Sequence, residues 1–133
     1  MKNYKTSISI LFLLCWGLSL FSQTITTPEN EKLFTIKENK IYSNKNNSIL
    51  VAYLEYNYIM DTKNLQIGRI YDKKIYNKKE ENIGYIKDNI IYLNGNYFFK
   101  VDNGNIYNSN NEIILKYNNI ERDTLILILT FIK

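Results

Sequence analysis

The chain has 133 residues, with 17 Lys and Arg against 13 Asp and Glu, one Cys, one Pro, one Trp and no His. Without histidine, a Ser-His or Cys-His nucleophilic enzyme lacks its base and zinc lacks its usual ligands, so neither chemistry is expected and no cofactor is predicted. A net charge of +4 is too small for a dedicated nucleic-acid surface, which carries a clustered basic stripe.

The chain begins with Lys2 and Lys5, then an apolar run from Ile8 to Phe21, then Ser22 ahead of Gln23. Residues 1–22 read as a signal peptide with a charged start, a short apolar core and a small residue at the cut. The 14-residue run is too short for a spanning helix, which takes roughly 20 residues. A lipoprotein anchor on Cys15 is disfavoured because Leu14 precedes it, where a small side chain is needed. Cleavage after Ser22 removes the sole Cys and Trp and leaves 111 residues at a charge of +2, since Lys2 and Lys5 depart and no acid does. The expected product is secreted, periplasmic or held at the cell envelope, with no stable membrane span and no disulfide, so packing and hydrogen bonds hold the fold.

Residues 23–32 are polar, contain Pro28 and show no periodicity, which predicts a flexible lead-in. From Leu33 to Lys133 the sequence reads as a single β-repeat domain. Runs of β-branched and aromatic residues alternate with clusters of Asn, Asp, Gly, Ser and Lys, the signature of strands and turns. An anchor dipeptide recurs at Ile41-Tyr42, Ile59-Met60, Ile75-Tyr76, Ile91-Tyr92 and Ile106-Tyr107, at spacings of 18, 16, 16 and 15. A period this short means one supersecondary unit has been copied, and each copy buries its apolar face only against its neighbours.

A second strand follows each anchor. These quartets align as Val51-Ala52-Tyr53-Leu54, Ile67-Gly68-Arg69-Ile70, Ile83-Gly84-Tyr85-Ile86, Phe98-Phe99-Lys100-Val101 and Ile114-Leu115-Lys116-Tyr117. Strand side chains alternate, so the second and fourth columns, apolar or small throughout, face the core. The third column, long and amphipathic, lies on the opposite face. Gly68 and Gly84 fit places where neighbouring chain approaches closely. Asn94-Gly95 and Asn103-Gly104 supply the positive φ of tight hairpins, with Asp88-Asn89, Asn110-Asn111 and Asn46-Asn47 as less apt substitutes. The chain ends in an apolar run from Leu125 to Ile132, broken only by Thr130, which predicts a closing or central buried strand.

The expected fold is all-β: an array of short antiparallel hairpins from a repeat of about 16 residues, flower-like or barrel-like, after an N-terminal signal helix. The stretch Ile75-Tyr76, a polar turn, Ile83-Gly84-Tyr85-Ile86-Lys87-Asp88-Asn89 and Ile91-Tyr92-Leu93-Asn94-Gly95-Asn96 resembles the repeat of four-fold beta flower domains. The likeness spans roughly residues 33–121 and is one of rhythm. It departs from the pattern in losing the turn glycine between Asn77 and Asn82 and in the last unit, Ile120-Glu121-Arg122-Asp123. The resemblance implies small, often secreted proteins with no general activity.

Paired carboxylates for glycoside hydrolysis have one adjacent candidate, Glu80-Glu81, flanked by Lys78 and Lys79 in a turn where solvated charge is the simpler reading. Asp61, Asp72, Asp88 and Asp102 fall in turns and suit local backbone capping. The run Asp102-Asn103-Gly104-Asn105 has oxygen ligands for calcium but only one full charge, so an Asx turn is preferred. Tyr42, Tyr76, Tyr92 and Tyr107 occupy one repeat column. They read either as a ladder of rings for an envelope glycan or protein partner, or as cross-strand packing pairs. The residues thus point to a non-catalytic secreted module, structural or adhesive, with a Tyr-based binding module as the alternative and a carboxylate glycosidase as a remote one. Exposed edge strands would permit self-association.

Overall fold

Positive φ angles mark where this chain turns. Glu38-Asn39 (50°, 63°), Asp72-Lys73 (50°, 59°), Asp88-Asn89 (52°, 63°) and Asn103-Gly104 (46°, 84°) each hold two successive residues in the left-handed region. That geometry matches the twist of flanking strands and closes a hairpin with a two-residue loop. Tyr56-Asn57 makes a fifth two-residue loop, in which Tyr56 alone is left-handed, at φ 55°.

In the computed structural model, which describes residues 22–45 and 47–133, these turns connect twelve strands. They are β1 (Gln23–Thr26), β2 (Lys32–Lys37), β3 (Lys40–Ser43), β4 (Ile49–Glu55), β5 (Tyr58–Met60) and β6 (Gln66–Tyr71). The remaining six are β7 (Lys74–Asn77), β8 (Asn82–Lys87), β9 (Ile90–Leu93), β10 (Asn96–Asp102), β11 (Asn105–Tyr107) and β12 (Ile113–Asn118). All neighbours pair antiparallel, and β1 joins β12 to β2, closing the sheet into a barrel. The expected signal segment lies outside the described residues apart from Ser22.

These five two-residue turns lie at one end of the barrel, and a sixth, Asn94-Gly95 (51°, 81°), lies at the other. The remaining turns at that other end are longer, and four of them are built alike. In Thr27–Glu31, Asp61–Leu65, Asn77–Glu81 and Asn108–Glu112 the first residue's side-chain oxygen accepts the N–H of the fifth residue at 3.0 to 3.1 Å. The fourth residue, Asn30, Asn64, Glu80 or Asn111, sits at φ 62° to 71°. Asp61 therefore caps backbone as expected, and the turn between Asn77 and Asn82 manages without glycine because Asn77 supplies the cap and Glu80 the positive φ.

A five-fold regularity runs through the hydrogen bonds. The N–H groups of Leu54, Ile70, Ile86, Val101 and Tyr117 donate to the carbonyls of Asn39, Asn57, Lys73, Asn89 and Gly104 at 2.8 to 3.0 Å. Opposite every anchor the register slips by one, leaving Val51, Ile67, Ile83, Phe98 and Ile114 as bulged residues. These are the first members of the five quartets. A bulge bends its strand and increases the local twist, so a bulge at the same height in each copy curves the sheet toward closure.

Alternation then divides inside from outside. The anchor isoleucines Ile41, Ile59, Ile75, Ile91 and Ile106 are all fully buried, as are Ala52 and, at 2 % exposure, Phe99. The second and fourth quartet columns face the lumen as the pattern predicted.

Two expectations are corrected. Gln23–Thr26, assigned to a flexible lead-in, is β1. Its pairing with both β12 and β2 seals the barrel, and Ile25 is fully buried. The apolar run from Leu125 to Ile132, expected as a strand, lies largely in a helix, α1 (Arg122–Phe131). A short uninterrupted apolar run has no period that separates strand from helix. Here β1 already occupies the edge of β12, so no strand edge remains for a thirteenth.

Leu125, Ile126, Leu127 and Ile128 are consecutive and each is at most 1 % exposed. Successive helical residues point about 100° apart, so α1 is apolar and covered on every side. Only the lumen provides such cover. Glu121 and Thr124 line a hollow with Asn39 and Tyr56 at the tight-turn end. Ile132 and Lys133 line another with Leu33 and Ser43 at the opposite end. The helix therefore threads the barrel from mouth to mouth, and Arg122 Nη1 donates to Asn89 Oδ1 at 3.3 Å across the tight-turn rim.

Candidate interaction surface

Because α1 fills the interior, the chemistry this molecule presents lies on its outer wall and at its two mouths. The tight-turn mouth opens into a hollow of about 310 Å³ whose only described acidic side chain is Glu121. Two facing acids, as a glycosidase needs, are not brought together there. Glu80 and Glu81 serve local bonds: Glu80 accepts from Arg69 Nε and from Gln66 Nε2 at 2.9 Å, and Glu81 accepts from Asn77 Nδ2 at 2.9 Å. Asn103-Gly104 forms a hairpin turn between paired Asp102 and Asn105, which gives that stretch its structural use. Among the described residues no three His, Cys, Asp or Glu side chains cluster as metal ligands do.

On the outer wall the cross-strand partners join into rows that climb across five strands. One row runs Glu55, Tyr58, Arg69, Tyr76, Asn82 from β4 to β8. The next runs Tyr71, Lys74, Tyr85, Tyr92, Tyr97 from β6 to β10. A third runs Lys87, Ile90, Lys100, Tyr107, Ile113 from β8 to β12. Tyr42 belongs to another, beside Thr35.

The four tyrosines of the repeat column are thus in four different rows and do not form a continuous ladder. Each is half-buried against its cross-strand neighbour. The Arg69 guanidinium lies 4.1 Å from the Tyr76 ring centre, and Lys100 Nζ lies 5.5 Å from that of Tyr107. Tyr92 stacks on Tyr85 at 4.8 Å and 17°. Tyr42 lines a depression with Thr24, Thr35 and Asn44.

The row from Tyr71 to Tyr97 is the true aromatic run, and only Tyr92 in it was a predicted site residue. Tyr97 meets Tyr92 edge-on at 6.3 Å, and its hydroxyl donates to the Asn108 carbonyl at 3.2 Å. Burial, with a smaller contribution from Tyr92, pushes the Tyr97 phenol above its ordinary value. Tyr71 and Tyr85 remain open to solvent at 63 % and 42 % exposure. The signal for this row was in the sequence: a two-residue turn at Asp88-Asn89 sets Tyr85 opposite Tyr92.

Charge is sorted as well. In these three rows Arg69, Lys74, Lys87 and Lys100 face outward against one carboxylate, Glu55. Among the described residues the ion pairs are Arg69–Glu80 and Arg122–Asp123, so the three lysines are unpaired.

Residues 22–133 match the model of a family described as 5-fold beta-flower protein. The chain belongs to that family. The five anchors, the bulge opposite each and the five turn-to-strand hydrogen bonds are the β-flower's five copies, which corrects the four-fold resemblance drawn from the repeat rhythm. In this β-flower the turn at Asn77–Glu81, which departs from the repeat by lacking glycine, is held by the Asn77 cap and by Glu80 at positive φ. No curated protein and no solved structure matches the chain.

Proposed function

We propose that this β-flower is a non-catalytic, secreted module with a structural or adhesive role at the cell envelope. The filled lumen carries the reading: α1 occupies the space in which a barrel of this size would hold a substrate, leaving a convex wall suited to contact. The N-terminal sequence supplies the expectation of export. The closed ring leaves no free edge among the described strands, so the edge-to-edge self-association that exposed edges would permit has no template there, and contact runs through side chains.

The test is to add purified protein to envelope preparations and score sedimentation with them and release of soluble sugar. Co-sedimentation without turnover is expected. Glycan hydrolysis abolished by Glu80→Gln or Glu81→Gln would defeat the reading.

A second reading has a specific observation behind it. Tyr71 and Tyr85, exposed in a row continuous with Tyr92 and Tyr97, make a carbohydrate- or protein-binding module through that wall a concrete alternative. Loss of envelope binding in a Tyr71→Ala, Tyr85→Ala double variant of unchanged melting temperature is the expected outcome.

A further inference from the structure

We propose that the outer face of β6 to β10 binds an anionic polysaccharide, with Tyr71 and Tyr85 as platforms for sugar rings and Lys74, Lys87 and Lys100 as counter-charges for its acidic groups. The inference rests on the binding-module reading and names its partner class.

The platform is fixed before any ligand arrives. Tyr92 covers one face of Tyr85 at 4.8 Å and is itself backed edge-on by Tyr97, whose hydroxyl is tied to Asn108. Tyr85 thus offers its remaining surface in one orientation, which lowers the ordering cost of binding. Four strand intervals separate Tyr71 from Tyr97, about 19 Å at the usual spacing. A convex wall of that breadth fits an extended polymer better than a small molecule.

The charges select which polymer. Lys74 lies between Tyr71 and Tyr85 in the row, and Lys87 lies two residues beyond Tyr85 on the same face of β8. Lys100 lies in the adjoining row on β10. None of the three has a carboxylate partner, whereas the nearby Glu80 is already engaged by Arg69 and Gln66. A neutral glycan leaves these ammonium groups unused. A nucleic acid gains most from aromatic faces open to bases, and the space between Tyr85 and Tyr92 is closed by their own stacking. A polymer with a sugar face and regular negative charge uses both features.

The experiment compares polygalacturonate, its methyl ester, which is the same chain without the charge, and a single-stranded oligonucleotide, each titrated with purified protein over a range of NaCl. Polygalacturonate is expected to bind, more weakly as salt rises, with the ester about tenfold weaker or worse. Lys74→Gln with Lys87→Gln is expected to lower affinity about tenfold and flatten the salt dependence, because each removes one released counter-ion. Tyr71→Ala, at a position too exposed to unfold the barrel, is expected to lower affinity while keeping the salt slope. Equal binding of the ester, with the lysine variant unchanged, overturns the charged partner but leaves the binding-module reading standing. Tighter binding of the oligonucleotide than of polygalacturonate overturns the choice of polysaccharide. Binding to neither polygalacturonate nor its ester defeats the inference, and failure of the Tyr71, Tyr85 variant to alter envelope binding separately defeats the reading beneath it.

Discussion

The ring of Phe131 occupies the space in which a side chain on Gly68 would begin: a Cβ built there would meet Cε2 of the ring at 2.2 Å. The last turn of α1 is thus seated on β6 through a missing side chain. Gly84, the same column one repeat later, is confined differently, since its Cβ would lie 2.3 Å from the Tyr92 carbonyl oxygen in the paired strand. A ring at a helix end can swing, but a ladder carbonyl cannot. Gly84→Ala should therefore cost about 3 kcal/mol or more. Gly68→Ala should cost less and be relieved by Phe131→Leu in the same molecule. Denaturant melts of the four proteins measure this, and a Gly68→Ala cost that Phe131→Leu leaves untouched would mean the helix end is not seated there.

Alanine scanning of α1 separates a helix inside the barrel from one laid on its surface. Leu125→Ala, Ile126→Ala, Leu127→Ala and Ile128→Ala should each cost about 2 to 5 kcal/mol, because all four side chains are buried. A helix resting on the outside would show one sensitive stripe and two tolerant positions among the four. Two near-neutral substitutions in this run would refute the lumenal placement.

The turn at Asp72-Lys73 carries strain that a better sequence removes. Both residues sit at positive φ, 50° and 59°, where a Cβ is disfavoured by about 1 to 2 kcal/mol per residue. The equivalent turn at Asn103-Gly104 uses the residue types that tolerate it. Replacing Asp72-Lys73 with Asn-Gly should raise stability by about 1 kcal/mol, seen as a higher midpoint with an unchanged denaturant slope. A lower midpoint would show that the native side chains contribute more at this rim than their backbone strain costs.

The inward columns and the hairpin rhythm were legible because strand alternation and turn chemistry are local properties, whereas the rhythm alone matched a four-fold pattern and not the five-fold family. Ile41, Ile59, Ile75, Ile91 and Ile106 announced the core by recurrence alone. What β1 and α1 do was not legible, because both depend on closure. Gln23–Thr26 becomes a strand by finding two partners about ninety and ten residues away, and α1 is a helix because the lumen offers it cover on all sides. The aromatic wall was half legible. The repeat column identified Tyr42, Tyr76, Tyr92 and Tyr107, but columns describe equivalent positions whereas contact follows rows, and only register places Tyr71, Tyr85 and Tyr97 beside Tyr92.

The Arg69–Glu80 pair gives a pH signature on the same wall. Hydrogen bonding from Arg69, joined by Gln66, holds the Glu80 carboxyl below its ordinary value against the opposing effect of desolvation. A depressed carboxyl pKa in the folded state means that the pair's contribution is present above the unfolded carboxylate's range and is lost as pH falls through the folded value. Both groups meet solvent, so screening keeps the effect on global stability small, and the local titration is the sharper measurement. In an NMR titration the Glu80 side-chain carbon should turn over at lower pH than in the Arg69→Leu variant. The same variant should free the face of Tyr76 that the guanidinium now covers, shifting its ring resonances at neutral pH. A Glu80 midpoint that ignores the Arg69 substitution would show that the turn at Asn77–Glu81, rather than the arginine, sets the carboxyl's environment.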